Sequence, residues 1–385
     1  MVVFGEPGHR RTLSLQAALR RRGLHRATPI DYAARCFESI APTPRPSATV
    51  DIPTIVKLDA PAASSGFYDR LVRRGHARLE RDEPVPADSD SCELAHRDMW
   101  FAGFADLVRE IARDRETAGP TRWLNPPDDV LRMCDKWRCQ QALAVAGVDI
   151  PPLLGLIESH AHLQQLLDAH DCDRVFVKAR YGSAAAGVVA YRRHRDGREI
   201  AFTTTETVDD GGRTRLFNRL APQRYRERNR IAALIDALAA QGCYAEAWVP
   251  KPRAAGSLPD HHFDLRVIAF GGEPRQRVTR IAGTPMTNLH LGNRRADPAT
   301  LLDGIAMARV EATVRKAARA FPDSASIGFD LIPARDRCVV LEANAFGDFV
   351  RQARWQGADA YDDQAGWVAD MLGTPADTVP RQARA

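Results

Sequence analysis

The stretch that decides the fold runs from Ile327 to Phe349 and reads IGFDLIPARDRCVVLEANAFGDF. Two runs of strand-forming residues, Ile327 to Pro333 and Cys338 to Ala343, flank a polar turn of Arg335, Asp336 and Arg337, the pattern of a β-hairpin. With those three residues as the loop, Ala334 faces Cys338, Ile332 faces Val340 and Asp330 faces Glu342. Side chains alternate along a strand, so Asp330, Glu342 and Asn344 share one face of the sheet. Two carboxylates directly opposed repel each other, and something must neutralise them. A hard cation with oxygen ligands does so: two carboxylates and an amide oxygen, completed by water and phosphate, suit Mg²⁺. The alternative is a solvated face screened by arginines.

Composition bounds the rest. At 385 residues the chain is too long for one core, so two or three domains are expected. No apolar run approaches ~20 residues, and Met1 to Arg11 lacks the layout of a signal peptide, which points to a cytoplasmic protein with no membrane partner. Seven cysteines without a CxxC pair fit neither a disulfide framework nor a zinc site. The net charge of +5 is spread along the chain, with no basic stripe for nucleic acid. Only Lys57, Lys136, Lys178, Lys251 and Lys316 among the 54 basic residues are lysines. In a chain that otherwise uses arginine, a lysine hints at a compact point charge being wanted.

Along the chain, Met1 to Gly5 reads as a short strand and Thr12 to Arg22 as a helix closed by Gly23. Val50 to Leu58 is a second strand, followed by a small-residue loop and a helix that Gly75 ends. Trp100, Phe101, Phe104, Leu107, Val108 and Ile111 recur at helical spacing and mark a buried helix stopped by Gly119 and Pro120. Beyond a boundary near Asn125, Asp128 caps a helix that continues to Val145. Val175 to Lys178 is a strand, then ARYGSAAAG at 179 to 187, then a strand from Val188 to Tyr191. A small-residue loop of this kind can fold its backbone N–H groups over an anion, with Lys178 adding charge, or it can be an ordinary flexible hairpin. A helix from Ile231 to Ala240, strands at Tyr244 to Val249, Asp264 to Phe270 and Arg275 to Ile281, a polar loop TNLHLG, and a final helix from Tyr361 to Leu372 complete the reading.

The order of these features resembles the ATP-grasp superfamily: a lysine on a helix, a lysine before a small-residue hairpin, an acid before an apolar strand, DLRV, TNLH, and the paired acids with asparagine. It is most similar to RimK-type amino-acid ligases and more distantly to glutathione synthetases. The resemblance covers about Asp128 to Phe349. It implies an α/β (α+β) chain with an ATP-grasp fold: an N-terminal α/β domain over 1–125, a lid and central part over 126–246, a catalytic part over 247–375 and a tail over 376–385.

By the same resemblance, Lys136 and Lys178 touch nucleotide phosphate, and Gly182, Ser183 and Gly187 form a lid over it. Glu246 is the hinge acid near the adenine amine, with the backbone of Ala247 and Val249 along the base. Asp264 holds the ribose, Arg266 lies near the phosphates, Arg280 steadies an acyl-phosphate and Asn288 falls on the substrate side. Asp330, Glu342 and Asn344 coincide with the metal ligands inferred from strand register. The implied activity is an ADP-forming carboxylate-amine ligase using ATP and Mg²⁺ or Mn²⁺ on small-molecule or peptide substrates, with a homodimer an ordinary assembly for the family. A kinase on a small acceptor and a non-catalytic nucleotide-binding protein are the alternatives.

Overall fold

The computed structural model describes residues 1–35, 53–61, 65–90, 92–182, 186–254, 260–348 and 350–373. Three sheets organise it. The first is wholly parallel and built from β1 (Val2–Phe4), α1 (Arg10–Arg21), β2 (Thr28–Ile30), α2 (Tyr32–Arg35), β3 (Thr54–Leu58), α3 (Ser65–Arg78), α4 (Arg97–Ala118) and β4 (Thr121–Trp123), in strand order β2-β1-β3-β4. Val50 to Ile52, the start of the expected second strand, and the tail lie outside the described residues.

The second sheet follows α5 (Pro127–Cys134) and α6 (Lys136–Val145). Its elements are β5 (Leu153–Ile157), α7 (His160–Ala169), β6 (Arg174–Ala179), β7 (Val188–Arg193), β8 (Glu199–Asp210), β9 (Arg213–Tyr225), α8 (Arg228–Ala239) and β10 (Cys243–Ala247). Its strand order is β5-β10-β6-β7-β8-β9, and it buries its own core against α7 and α8, with Leu163, Leu167, Ile231 and Leu234 inside.

The third sheet, ordered β13-β12-β11-β14-β15, takes β11 (His262–Phe270), β12 (Glu273–Ala282), β13 (Arg294–Ala296), β14 (Ser326–Pro333) and β15 (Cys338–Asn344), with α9 (Gly304–Ala318) against it. Its core is continuous with that of the first sheet: Val56, Phe104, Val130, Leu143, Val314, Phe329 and Val340 belong to one apolar cluster. The last helix, α10 (Ala360–Met371), returns to pack on α1 through Tyr361, Ala365 and Val368.

Four expectations are corrected. The hairpin turn is one residue longer than expected, with Pro333 opposite Cys338 and Ile332 opposite Val339; a bulge between Asp330 and Leu331 then restores Asp330 opposite Glu342. Gly75 does not end its helix, because α3 runs on to Arg78 and uses that glycine to approach α4. A Cβ there would stand 1.7 Å from the Met99 carbonyl oxygen, and one on Gly103 would stand 2.0 Å from that of Leu71. Asp128 is not the cap: Pro126 is, with Pro127 in the first turn. Nor is the stretch to Val145 one helix, since Asp135 turns extended, caps α6 by accepting from the Arg138 N–H at 3.2 Å, and binds Arg180 at 2.8 and 2.7 Å.

Candidate active site

The site crosses the third sheet. Asp264 and Arg266 share a face of β11 by the period of two. Register supplies their neighbours: Asp264 lies opposite Arg280, Arg266 opposite Asp330, and Asp330 opposite Glu342. Arg280 donates from Nε to Asp264 Oδ1 at 2.7 Å and from Nη1 to Asp330 Oδ2 at 3.1 Å. Arg266 forks onto Asp330, with Nη2 at 2.9 Å from Oδ2, and lies 3.7 Å from Glu342 Oε1. Asn344, opposite Gly328, donates to Glu342 Oε1 at 3.0 Å.

Lys136 completes the ladder. The break at Asp135 makes it the first residue of α6, its own N–H donating to the Arg180 carbonyl at 3.0 Å, and its Nζ reaches Glu342 Oε2 at 2.6 Å. A cation in the first turn opposes the helix dipole, so this lysine is placed for Glu342 rather than for the helix. The opposed carboxylates are therefore screened by arginine and lysine, as in the alternative reading of the sequence, but Asp330 is 4% exposed rather than solvated.

Burial alone would raise the Glu342 and Asp264 carboxyls. Lys136 and Arg266 instead hold Glu342 well below its ordinary value, and Arg280 and Lys251 do the same for Asp264. Burial pulls Lys136 down, yet Glu342 outweighs it and leaves the lysine raised.

A second cluster lies on β6 and β10. Lys178 sits 2.5 Å from Glu246 Oε1, while Oε2 of that fully buried acid has no hydrogen-bond partner among the described residues. Burial raises the Glu246 carboxyl against the opposing pull of Lys178, and Glu342 adds to the rise, which places the two clusters within electrostatic reach of each other. Phe176, on the Lys178 face of β6, meets Trp248 with ring centroids 4.9 Å apart.

The remaining expected residues sit at the margins. The Ala247 N–H is donated to the Pro152 carbonyl, and Val249 packs with Ile332 and Val339. Asn288 precedes the single-turn helix Leu289–Leu291. Gly182 and Gly187 both take positive φ, and Ser183 lies outside the described residues.

Sequence reasoning missed Lys251 and Thr287. Lys251 Nζ is 3.1 Å from Asp264 Oδ2 and donates to Thr287 Oγ1 at 2.8 Å, while Thr287 donates to Asp264. Both oxygens of Asp264 are thus engaged. The signal was present in the lysine count: Lys57, Lys136, Lys178 and Lys251 each place Nζ on a buried or half-buried carboxylate, and only Lys316 is an end-of-helix lysine.

As a metal site, Asp330, Glu342 and Asn344 supply two carboxylates and one amide. Among the described residues no group of three His, Cys, Asp or Glu could hold an ion unaided. Two carboxylates beside clustered cations do fit an ion that takes its other ligands from water and nucleotide phosphate, the usual mode for Mg²⁺.

No family model and no curated protein matches this chain. Solved structures do. The chain is similar to D-cycloserine synthetase DcsG with a TM-score of 0.55 at 13% identity, covering 96% of this chain and 99% of that one. The ATP-grasp ligase PsnB complexed with minimal precursor aligns at 0.52 and 15% identity over 97% and 98%. A RimK domain protein from Sphaerobacter thermophilus aligns at 0.50 and 14% over 95% and 98%. The fold is therefore the ATP-grasp fold, along nearly the whole chain.

Proposed function

We propose that this chain is an ATP-dependent ligase that phosphorylates a carboxylate and joins the acyl group to an amine, releasing ADP and phosphate. The ladder of Arg280, Asp264, Arg266, Asp330 and Glu342, covered by Lys136, carries the reading. Phosphoryl transfer asks a protein chiefly for positioning and charge neutralisation, and a buried to half-buried row of paired, fixed charges offers both. Solved structures with this fold include a synthetase of D-cycloserine, a ligase complexed with a minimal precursor and a macrocyclase bound with a precursor peptide, which supports a small-molecule or peptide carboxylate as acceptor.

In this reading Lys136 and Lys178 turn from Glu342 and Glu246 toward nucleotide phosphate. The open Oε2 of Glu246 accepts from the adenine amine, and Phe176 and Trp248 flank the base. Arg266 and Arg280 face the transferred phosphoryl group, with Asn288 on the acceptor side. Mg²⁺ or Mn²⁺ held by Asp330, Glu342 and Asn344 would neutralise the phosphates. The acceptor carboxylate oxygen attacks the γ-phosphorus as ADP leaves; the amine nitrogen then attacks the acyl carbon, phosphate leaves and the amine gives up a proton. Residues 126–246 act as the lid-bearing part and 247–375 as the catalytic part.

Phosphorus NMR of the protein with Mg-ATP and a pool of cell metabolites tests this against Glu342→Ala. Free phosphate and ADP from the wild type, at least ~100-fold reduced in the variant, together with a hydroxylamine-trapped acyl group, are expected. A phosphorylated product without free phosphate makes the chain a kinase, and an undiminished variant overturns the role of Glu342.

A further inference from the structure

The row of charge across the third sheet does not stop at Arg280. Arg295, on the edge strand β13, lies directly opposite Arg280, as Arg280 lies opposite Asp264. Residues directly opposed across strands share a face, so Arg295 belongs to the face that bears Asp264, Asp330 and Glu342.

The row is polarised. At one edge β14 and β15 bring two carboxylates together, Asp330 and Glu342, and at the other β12 and β13 bring two guanidinium groups. Like charges directly opposed repel. Arg280 is relieved by turning inward, to Asp264 and Asp330. Arg295 has no such relief: it is exposed, and among the described residues no carboxylate pairs with it. Its Nη1 donates instead to a neutral oxygen, the Arg351 carbonyl, at 2.7 Å. That carbonyl lies on the chain beyond β15, which already packs on this face at Gly347: a Cβ on Gly328, two residues before Asp330, would stand 2.7 Å from the Gly347 Cα. The guanidinium is thus kept at the site by an acceptor weaker than a carboxylate, which forms hydrogen bonds roughly twice as strong with a cation. Neighbouring strands are about 4.8 Å apart. A second carboxylate, two or three carbons from the one that reacts, spans about that interval.

We infer that Arg295 is a specificity-determining residue that binds a second, unreacting carboxylate of the acceptor. The acceptor is then a dicarboxylate, free or at an acidic peptide residue, lying along the row with its reacting end at Arg280 and its other end at Arg295. This deepens the ligase reading given above and rests on it.

The full chain is incubated with Mg-ATP, hydroxylamine and a pool of cell metabolites, and the trapped hydroxamates are read by tandem mass spectrometry. A hydroxamate that retains a carboxylate is expected, its mass telling a small diacid from a peptide. With that acceptor, wild-type kcat/KM exceeds the value for its monoester, blocked at the unreacting end, roughly ten- to hundredfold, chiefly through KM. In Arg295→Gln the ratio falls to within about threefold, Arg295→Lys lies between, and Mg-ATP affinity stays within about twofold throughout. A trapped acceptor without a second carboxylate overturns the inference. So does a ratio left intact by Arg295→Gln, because an arginine that only anchored the Arg351 carbonyl would slow both acceptors alike. Should Arg295→Gln fail to fold, Arg295→Lys decides on the same ratio. A wild type that traps no acyl group removes the ligase reading itself, and this inference with it.

Discussion

Asp264 shows what one buried charge does here. It is 1% exposed and receives Arg280, Lys251 and Thr287, so Asp264→Asn leaves two cations short of their shared anion. Breaking such a buried pair costs about 3–5 kcal/mol, and urea unfolding of the variant should show a loss of that order. The pH dependence has a definite sign. Asp264, Glu342 and Asp348 are all held below the ordinary carboxylate range despite burial, by Arg280, by Lys136 and by Lys57 respectively. Folded pKa values below the unfolded ones contribute stability that is complete above the unfolded carboxylate range, about pH 4, and lost as pH falls through the folded values. The melting temperature should therefore hold from about pH 7 to 5 and drop below about 4, less steeply in Asp264→Asn. A variant with the wild-type acid slope would remove Asp264 from this account.

At the scale of elements, the crossing of α3 and α4 opposes propensity to packing. Alanine is the better helix former by about 1 kcal/mol, yet Gly103→Ala would drive a Cβ into the Leu71 carbonyl, and overpacking of that kind costs about 1–3 kcal/mol or more. The expected net result is a lower melting temperature, and a stabilised variant would mean that the helices can separate at little cost. The same crossing marks a limit of sequence reading. A glycine in a helical run reads as a stop when its real partner is a second glycine, Gly103, far along the chain. The periodic helix α4 and the pairing of Asp330 with Glu342 were legible because each follows from a local repeat. The pairing was nonetheless reached through a turn one residue too short, an error that the bulge at Leu331 cancels. The break at Asp135 was not legible, since its carboxylate is held by Arg180, just beyond β6 and distant in sequence. Lys251 and Thr287 escaped for a similar reason: only the folded sheet brings them to Asp264.

At the scale of the whole molecule, the question is whether the first sheet and the catalytic hairpin fold as one unit. Their apolar core is continuous, and a buried polar cluster crosses the same seam. Asp348, four residues beyond Asn344, accepts from Lys57 of β3 at 2.7 Å, from Arg11 of α1 at 2.6 Å and from Gln364 of α10 at 2.8 Å. Lys57 is 3% exposed and Asp348 4%, so neither can find water if the other is removed. Asp348→Leu should cost about 3–5 kcal/mol, because it leaves Lys57 and Arg11 sharing only Asp59, at 4.0 and 3.7 Å, whereas Lys57→Met should cost less, because Asp348 keeps Arg11 at 2.6 Å. The double variant should lose less than the sum, since it buries two apolar side chains with no orphaned charge. Urea titrations followed by far-UV circular dichroism and by tryptophan fluorescence measure both quantities. Coincident transitions with a coupling above about 1 kcal/mol place the N-terminal sheet and the hairpin bearing Glu342 in one cooperative unit, so that strain at either is felt at the other. Additive losses, or a hairpin that melts before the sheet, would instead make the seam a contact between independently stable parts.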